Sequence, residues 1–291
     1  MCAVTRRELP HKIGAVLRRR RAAVAAACAV VLGASLGIGL LISGGPHPES
    51  PRSSPPVAST APPPPQRVGI SLDGWKLSIP EENDDGDATT IQPAALKAPW
   101  LSATPDGGLM FWAPASGATT KNSDNPRTEL DSLTNFKAGT GPHTLTASVT
   151  LLQVPQDGGG IILGQIHGAD DISSVPFVML RFQDGQVRVV VKKKQSGSSS
   201  NKYPLLNNVG LNSQFDFTIT DLGNGSLAFA ASHGRDTHQV VAPIPAPFQG
   251  QTVRFQAGSY QQADDPGGAQ DGGRVIFHRL AEQPTVPSPR G

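Results

Sequence analysis

Between residues 144 and 151, polar Thr144, Thr146, Ser148 and Thr150 alternate with apolar Leu145, Ala147, Val149 and Leu151. Successive side chains of a strand point to opposite faces, so this period predicts a strand with one wet face and one buried face. The same signal recurs along the chain, broken by turn residues. Phe177 to Phe182 and Gln186 to Lys192 flank Asp184-Gly185, and Phe215 to Leu222 and Ser226 to Ser232 flank Gly223-Asn224-Gly225. Both arrangements predict hairpins. Val253 to Tyr260 and Arg274 to Leu280 complete the set, and a helical period is nearly absent after residue 68. Many short strands with turn punctuation predict one all-β domain over 68–291, an antiparallel jelly-roll β-sandwich.

The first 67 residues follow other rules. Arg18 to Arg21 close a basic segment, 1–21, and an apolar run extends from Ala22 to Ile42. That run is long enough to cross a bilayer as a helix. Positive charge ahead of it favours an N-terminus that stays in the cytoplasm. No A-x-A site follows, which favours an uncleaved transmembrane signal anchor at 22–43 over a cleaved signal peptide. Residues 44–67 are rich in Pro and Ser, include Pro62 to Pro65, and read as an extended linker. The expected location of the body is therefore extracytoplasmic, either membrane-anchored or secreted after cleavage.

Charge and cysteine narrow the function. The net charge of +2 hides a split: residues 1–67 hold nine Lys and Arg against two Asp and Glu, leaving sixteen against twenty-one in the body. A mildly acidic body argues against nucleic-acid binding, which needs a broad basic surface. Any polyanionic partner must be held by a few placed cations. Both cysteines, Cys2 and Cys28, precede the body, which therefore has no internal disulfide and no thiolate metal site. No set of histidines has metal-ligand spacing. The acidic stretch Ala263 to Gly273 lacks the spacing of a calcium loop.

Three strand-like segments carry unusual polar residues. In "NPRTELDS", Arg127, Glu129 and Asp131 share a face. Three charges are costly against a dry core, so that face meets solvent or a cleft. In "GQIHG", Gln165 and His167 share a face. In "VRFQAGSYQQ", so do Arg254, Gln256, Gly258, Tyr260 and Gln262. Taken singly, a lone Tyr or a QxH pair is an ordinary feature of a strand end. Together, a cation, an amide, an imidazole and a phenol suit β-elimination from a uronic acid. The C5 proton beside the carboxylate is weakly acidic, and donors aimed at that carboxylate stabilise the developing charge, each by about 3–4 kcal/mol. Arg127 and Gln165 fit that role. His167 and Tyr260 fit proton transfer to and from the sugar.

"PRTEL", "GQIHG" and "FQAGSYQQ" resemble, in order, the three signature strands of the family-seven polysaccharide lyases, the alginate lyase family. "LDGWKLSIP" at Leu72 to Pro80, "MFWAPASGATTKNS" at Met110 to Ser123 and "VIFHRL" extend the resemblance over the body. It implies a substrate cleft across the concave sheet, no cofactor and no metal. It also implies catalysis by Arg127, Gln165, His167 and Tyr260, with Lys121, Glu129, Asp131, Arg254, Gln256 and Gln262 at the substrate. The implied partner is an anionic polysaccharide, most simply alginate, acted on by a monomer. Ile166, between Gln165 and His167, matches the residue that accompanies activity on guluronate-containing blocks. Two positions depart from the family pattern, where cations usually stand at Asp131 and Gln256. A carboxylate in place of a guanidinium weakens polyanion binding there, so another polyuronate such as glucuronan, or a less charged heteropolymer, is a second expectation.

Two other classes remain open on the sequence. "ELD" resembles part of the catalytic strand of laminarinase-type glucanases, but a retaining hydrolase needs two carboxyl groups about 5–5.5 Å apart, and Leu133 and Thr134 stand where the second is due. A noncatalytic carbohydrate-binding jelly roll is the other.

Overall fold

The structure is a computed structural model and describes residues 69–284. The predicted basic segment, membrane segment and linker lie outside the described residues. Among the described residues no helix is long and apolar enough to cross a membrane.

Sixteen strands follow in order: β1 Trp75–Glu82, β2 Ala88–Ile91, β3 Leu101–Ala103, β4 Leu109–Pro114, β5 Arg127–Ser132, β6 Phe136–Lys137, β7 Pro142–Gln153 and β8 Ile161–Gly168; then β9 Pro176–Gln183, β10 Gln186–Lys192, β11 Ser200–Leu206, β12 Gln214–Leu222, β13 Ser226–His233, β14 Asp236–Pro243, β15 Thr252–Gln261 and β16 Gly272–Pro284. They form two antiparallel sheets. The first runs β11-β10-β9-β8-β15-β5-β1-β2, with β6 also paired to β15, and the second runs β14-β13-β12-β7-β16-β4-β3. The all-β expectation holds as a two-sheet antiparallel sandwich.

The alternating pattern builds the core. Leu145, Ala147, Val149 and Leu151 of β7 are fully buried. Their polar neighbours line the other face, where Thr144 meets Thr220 at 3.1 Å and Gln214 donates to Ser148 at 2.7 Å. Phe215, Phe217 and Ile219 of β12 and Phe229 of β13 face inward from the same sheet, against Leu163, Phe177, Leu180, Val187 and Val189 of the first sheet. Phe177 stacks on Phe248 with ring centroids 4.2 Å apart. The β9–β10 hairpin turns at Asp184 and Gly185, both at positive φ. Two such residues in succession match the right-handed twist of the flanking strands.

Two cross-sheet hydrogen bonds tie the sheets together near β5 and β15. Thr128 donates to the Trp112 carbonyl at 2.6 Å, and Ser259 donates to the Gly273 carbonyl at 2.9 Å. They satisfy hydroxyls that would otherwise be buried without partners.

Candidate active site

The middle of the first sheet is a register problem solved by four strands. β15 lies between β5 and β8, and β1 flanks β5. The pairing sets Tyr260 opposite Arg127 and Arg254 opposite His167. One lateral row reads Lys76, Asp131, Gln256, Gln165 across β1, β5, β15 and β8. The outward side chains of these rows line a cavity of about 220 Å³. Arg127, Gln165, His167 and Tyr260 all border it, as do Asp131, Arg254 and Gln256. Lys76 and Ser78 of β1 and Asn122 of the β4–β5 connection border it too.

Close packing of β15 on β5 needs Gly258. A Cβ there would lie 2.8 Å from the Glu129 Cα and collide with the Thr128 carbonyl. With glycine the strands run together, and the Arg127 guanidinium lies over the Tyr260 ring, 3.7 Å from its centroid. That contact puts a fixed positive charge against the phenol, which favours any negative charge developing on its oxygen. The Tyr260 hydroxyl is 2.9 Å from Ser123 Oγ, on the loop before β5.

Beneath the cavity floor lies Glu129, fully buried. It accepts from Arg127 Nη1 at 3.1 Å and from Gln165 Nε2 at 2.6 Å. Burial pushes its carboxyl up to about 7, against the pull of the Arg127 guanidinium. Gln165 Nε2 also donates to Gln256 Oε1 at 2.9 Å. Gln256 Nε2 in turn donates to Asp131 Oδ1. Ser78 donates to the other oxygen of Asp131 at 3.1 Å, and Arg254 Nε stands 3.9 Å from Asp131. An amide has two N–H donors, so both of those on Gln165 are committed within the protein. Its carbonyl oxygen, by contrast, is buried without a partner. Gln165, expected to donate to a carboxylate, therefore has both N–H groups engaged and its carbonyl oxygen buried.

His167 is set up differently. Its Nδ1 lies 3.1 Å from the Gly168 carbonyl. A carbonyl can only accept, so Nδ1 carries the proton and Nε2 keeps its lone pair. Burial depresses the imidazole to about 4, opposed by that backbone hydrogen bond and reinforced by Arg127. At neutral pH the ring is thus an uncharged base with one free nitrogen.

Three expected substrate contacts lie outside the cavity lining. Glu129 is too deeply buried to touch a polymer, and it holds Arg127 and Gln165 in place from below. Lys121 has a largely exposed side chain with its Nζ 3.7 Å from Asp87, while its neighbours Thr120 and Asn122 line the cavity. Gln262 lies past the end of β15, and its amide donates to the Gln261 carbonyl. The alternation of β15 does not carry beyond the strand. Ile166 is buried in the core, so it can influence the cavity only through packing.

Sequence reasoning passed over Lys76, Ser78 and Ser123. The first two were legible, since "WKLSIP" alternates polar and apolar positions like any half-buried strand. Ser123 was not, because its partner is 137 residues away.

The acidic stretch before β16 explains itself locally. Asp271 accepts from the Gln156 and Gly267 amides. Asp157 accepts from the Gly159, Asp264 and Asp265 amides. These carboxylates tie loops together. Among the described residues no group of three His, Cys, Asp or Glu is placed to hold a metal ion.

Comparison with known proteins supplies the remaining context. Residues 70–283 match the family model described as alginate lyase. No curated protein matches the chain. Among solved structures, alginate lyase PA1167 from Pseudomonas aeruginosa superposes with a TM-score of 0.65 at 25% identity, covering 74% of this chain and 100% of that one. Alginate lyase A1-II′, a member of polysaccharide lyase family 7, gives 0.62 at 27% identity over 73% of this chain and 95% of its own. A variant of A1-II′ with a His-to-Asn and a Tyr-to-Phe replacement, solved in complex with substrate, gives 0.63 at 27% identity, over 75% and 96%.

Proposed function

This chain belongs to the alginate lyase family, polysaccharide lyase family 7, and from that premise we propose that it cleaves a uronate polymer, most simply alginate, by metal-independent β-elimination. One observation carries the reading. A neutral imidazole with a free Nε2, a phenol and a guanidinium stacked on that phenol all border one cavity.

The steps follow from the groups present. The substrate carboxylate is held near Arg127, with Lys76 and Arg254 adding positive charge along the same floor. Arg127 stabilises the charge that develops on the carboxylate as C5 loses its proton. His167 Nε2 takes that proton. The C5–H electron pair becomes the C4–C5 double bond, and the C4–O4 bond breaks. Tyr260 gives its hydroxyl proton to the departing O4. Two positioned proton-transfer groups of this kind each contribute roughly 10²–10⁴-fold. That a relative altered at one His and one Tyr was solved with substrate supports assigning turnover, more than binding, to such a pair.

The substrate next to Asp131 differs from a simple polyanion. Asp131 is an acceptor, suited to sugar hydroxyls and unsuited to a second carboxylate. The reading therefore includes polymers with uncharged sugars, or glucuronan, beside alginate and its guluronate blocks. Glu129, buried and already paired, cannot serve the double displacement of a glucanase. The body is read as a monomeric jelly roll with a concave cleft, held outside the cytoplasmic membrane by the N-terminal segment or released from it.

The test is a screen of the protein against alginate blocks, glucuronan and neutral glucans. A lyase produces ultraviolet absorbance from a double bond conjugated to the carboxylate, together with new reducing ends. Reducing ends without absorbance on a glucan, or binding without either product, sink the proposal.

A further inference from the structure

The loop between β4 and β5 places one hydroxyl against the phenol of the site. Ser123 Oγ has three neighbours: the Asn125 carbonyl at 2.9 Å, the Asn125 amide at 3.2 Å and the Tyr260 hydroxyl at 2.9 Å. A serine hydroxyl has one proton and accepts through its lone pairs. The Asn125 amide can only donate and the Asn125 carbonyl can only accept. When Ser123 donates to that carbonyl, it must accept from Tyr260, so the phenol proton points at Ser123. When Tyr260 has lost its proton, its oxygen becomes the strongest acceptor in reach. Ser123 then turns its own proton from the Asn125 carbonyl to the phenolate. No atom other than this hydrogen needs to move.

We propose that Ser123 is a positioning residue for the elimination, a hydroxyl rotor that holds the Tyr260 proton before the reaction and stabilises the phenolate after it. The proposal rests on the lyase reading of Tyr260. In sequence, O4 draws the phenol proton away from Ser123 as the C4–O4 bond breaks, and the bonding pair stays on O4, now a hydroxyl. Tyr260 is left as phenolate, with Arg127 over its ring and the Ser123 hydroxyl at its oxygen. The proton that His167 took from C5 returns to the phenolate through solvent, which restores both groups. Protons balance, and no external reactant is required.

The geometry also supplies a competing explanation to test against. The Asn125 amide bonded to Ser123 Oγ is a local turn of the Ser/Thr type, so Ser123 could serve the loop alone. Two variants and two measurements separate the roles. Ser123→Ala removes the rotor and Ser123→Thr keeps it. The first measurement is kcat on whichever polymer the wild-type protein cleaves. The second is the ultraviolet titration of tyrosine ionisation, which needs no substrate. The chain has two tyrosines, Tyr203 and Tyr260, and a Tyr260→Phe variant isolates the signal of Tyr260.

In Ser123→Ala, kcat falls about 10- to 100-fold, as expected for losing a hydrogen bond to a charged oxygen. KM changes little, and the Tyr260 titration moves to higher pH. Ser123→Thr restores both. A Ser123→Ala protein whose Tyr260 titrates like the wild type overturns the proposal, even if its thermal midpoint drops. If the wild-type protein cleaves no uronate polymer, the lyase reading falls on its own, and the titration still decides whether Ser123 governs the phenol.

Discussion

The two sheets of the sandwich turn opposite kinds of surface outward. On the second sheet, β7 and β12 pair short neutral side chains over part of their length, with Thr220 opposite Thr144 and Thr218 opposite Thr146. These threonines are half-buried, within reach of solvent, and the Thr144 and Thr220 hydroxyls meet across the strands. On the first sheet, β5, β8 and β15 present guanidinium, carboxyl, amide, imidazole and phenol groups, linked from Ser78 through Asp131, Gln256, Gln165 and Glu129 to Arg127. Here each group fixes its neighbour, and several are buried. The same backbone architecture thus serves two ends. An exposed polar face keeps a sheet soluble, whereas a sunken, interlocked one holds groups in geometries that water alone would not maintain.

The largest break in this contrast comes from Tyr260→Phe. It is expected to lower kcat at least 10²–10⁴-fold while leaving the circular dichroism spectrum and unfolding midpoint near those of the parent. Unchanged turnover would falsify the role given to the phenol. Next is the pH profile. Because burial holds His167 near 4, the acid limb of kcat/KM should fall close to pH 4, well below the roughly 6.5 of an ordinary imidazole. A limb near 6.5 would show that the base is another group or that the ring is solvated.

Smaller effects sharpen the picture of interlocking. His167 is depressed in the folded state, so its contribution to stability is present above about 6.5 and is lost as pH falls toward 4. Glu129 is raised, so its effect runs the other way: stability falls as pH climbs from the ordinary carboxyl value toward 7. The two slopes oppose each other over the same window. Glu129→Gln removes one of them, and its urea midpoint should drop more steeply than the parent's between pH 6.5 and 4.5. Parallel curves for the two proteins would refute the assigned titrations. Asp131→Arg should lower KM for alginate several-fold, with some loss of kcat as Gln256 and Ser78 lose their acceptor, and an unaltered KM would place Asp131 off the substrate path. On the second sheet, Thr218→Val should shift stability by no more than about 0.5 kcal/mol and leave kcat/KM untouched.

Much of this contrast was legible in the chain. Period-two alternation located β7, β9, β10, β12, β13, β15 and β16, because each has one apolar face against the core. It was silent on β14, whose first four residues are all exposed, since an edge strand need not bury every second position. The outward charges of "PRTELDS" flagged the site, yet their depth was not readable. Whether Glu129 touches a ligand or lies under the floor depends on what β8 and β15 lay over it. Gln165 shows the same limit. Its residue type promised a donor, but its neighbours Glu129 and Gln256 claim both N–H groups. Residue type announces which chemistry is possible, and the cross-strand partners decide which atoms remain available for it.

The position of β15 has a consequence for how the molecule is made. This strand sits at the centre of the first sheet, and it joins Gln256 to residues 91 and 125 positions earlier. A ribosome releases β5 and β8 long before their shared neighbour exists, so two half-sheets must wait with their facing edges unpaired. Such distant pairings are slow to form and open to mispairing in the interval. Until the segment carrying Tyr260 docks between them, the nascent chain holds most of the cavity's side chains and no cavity.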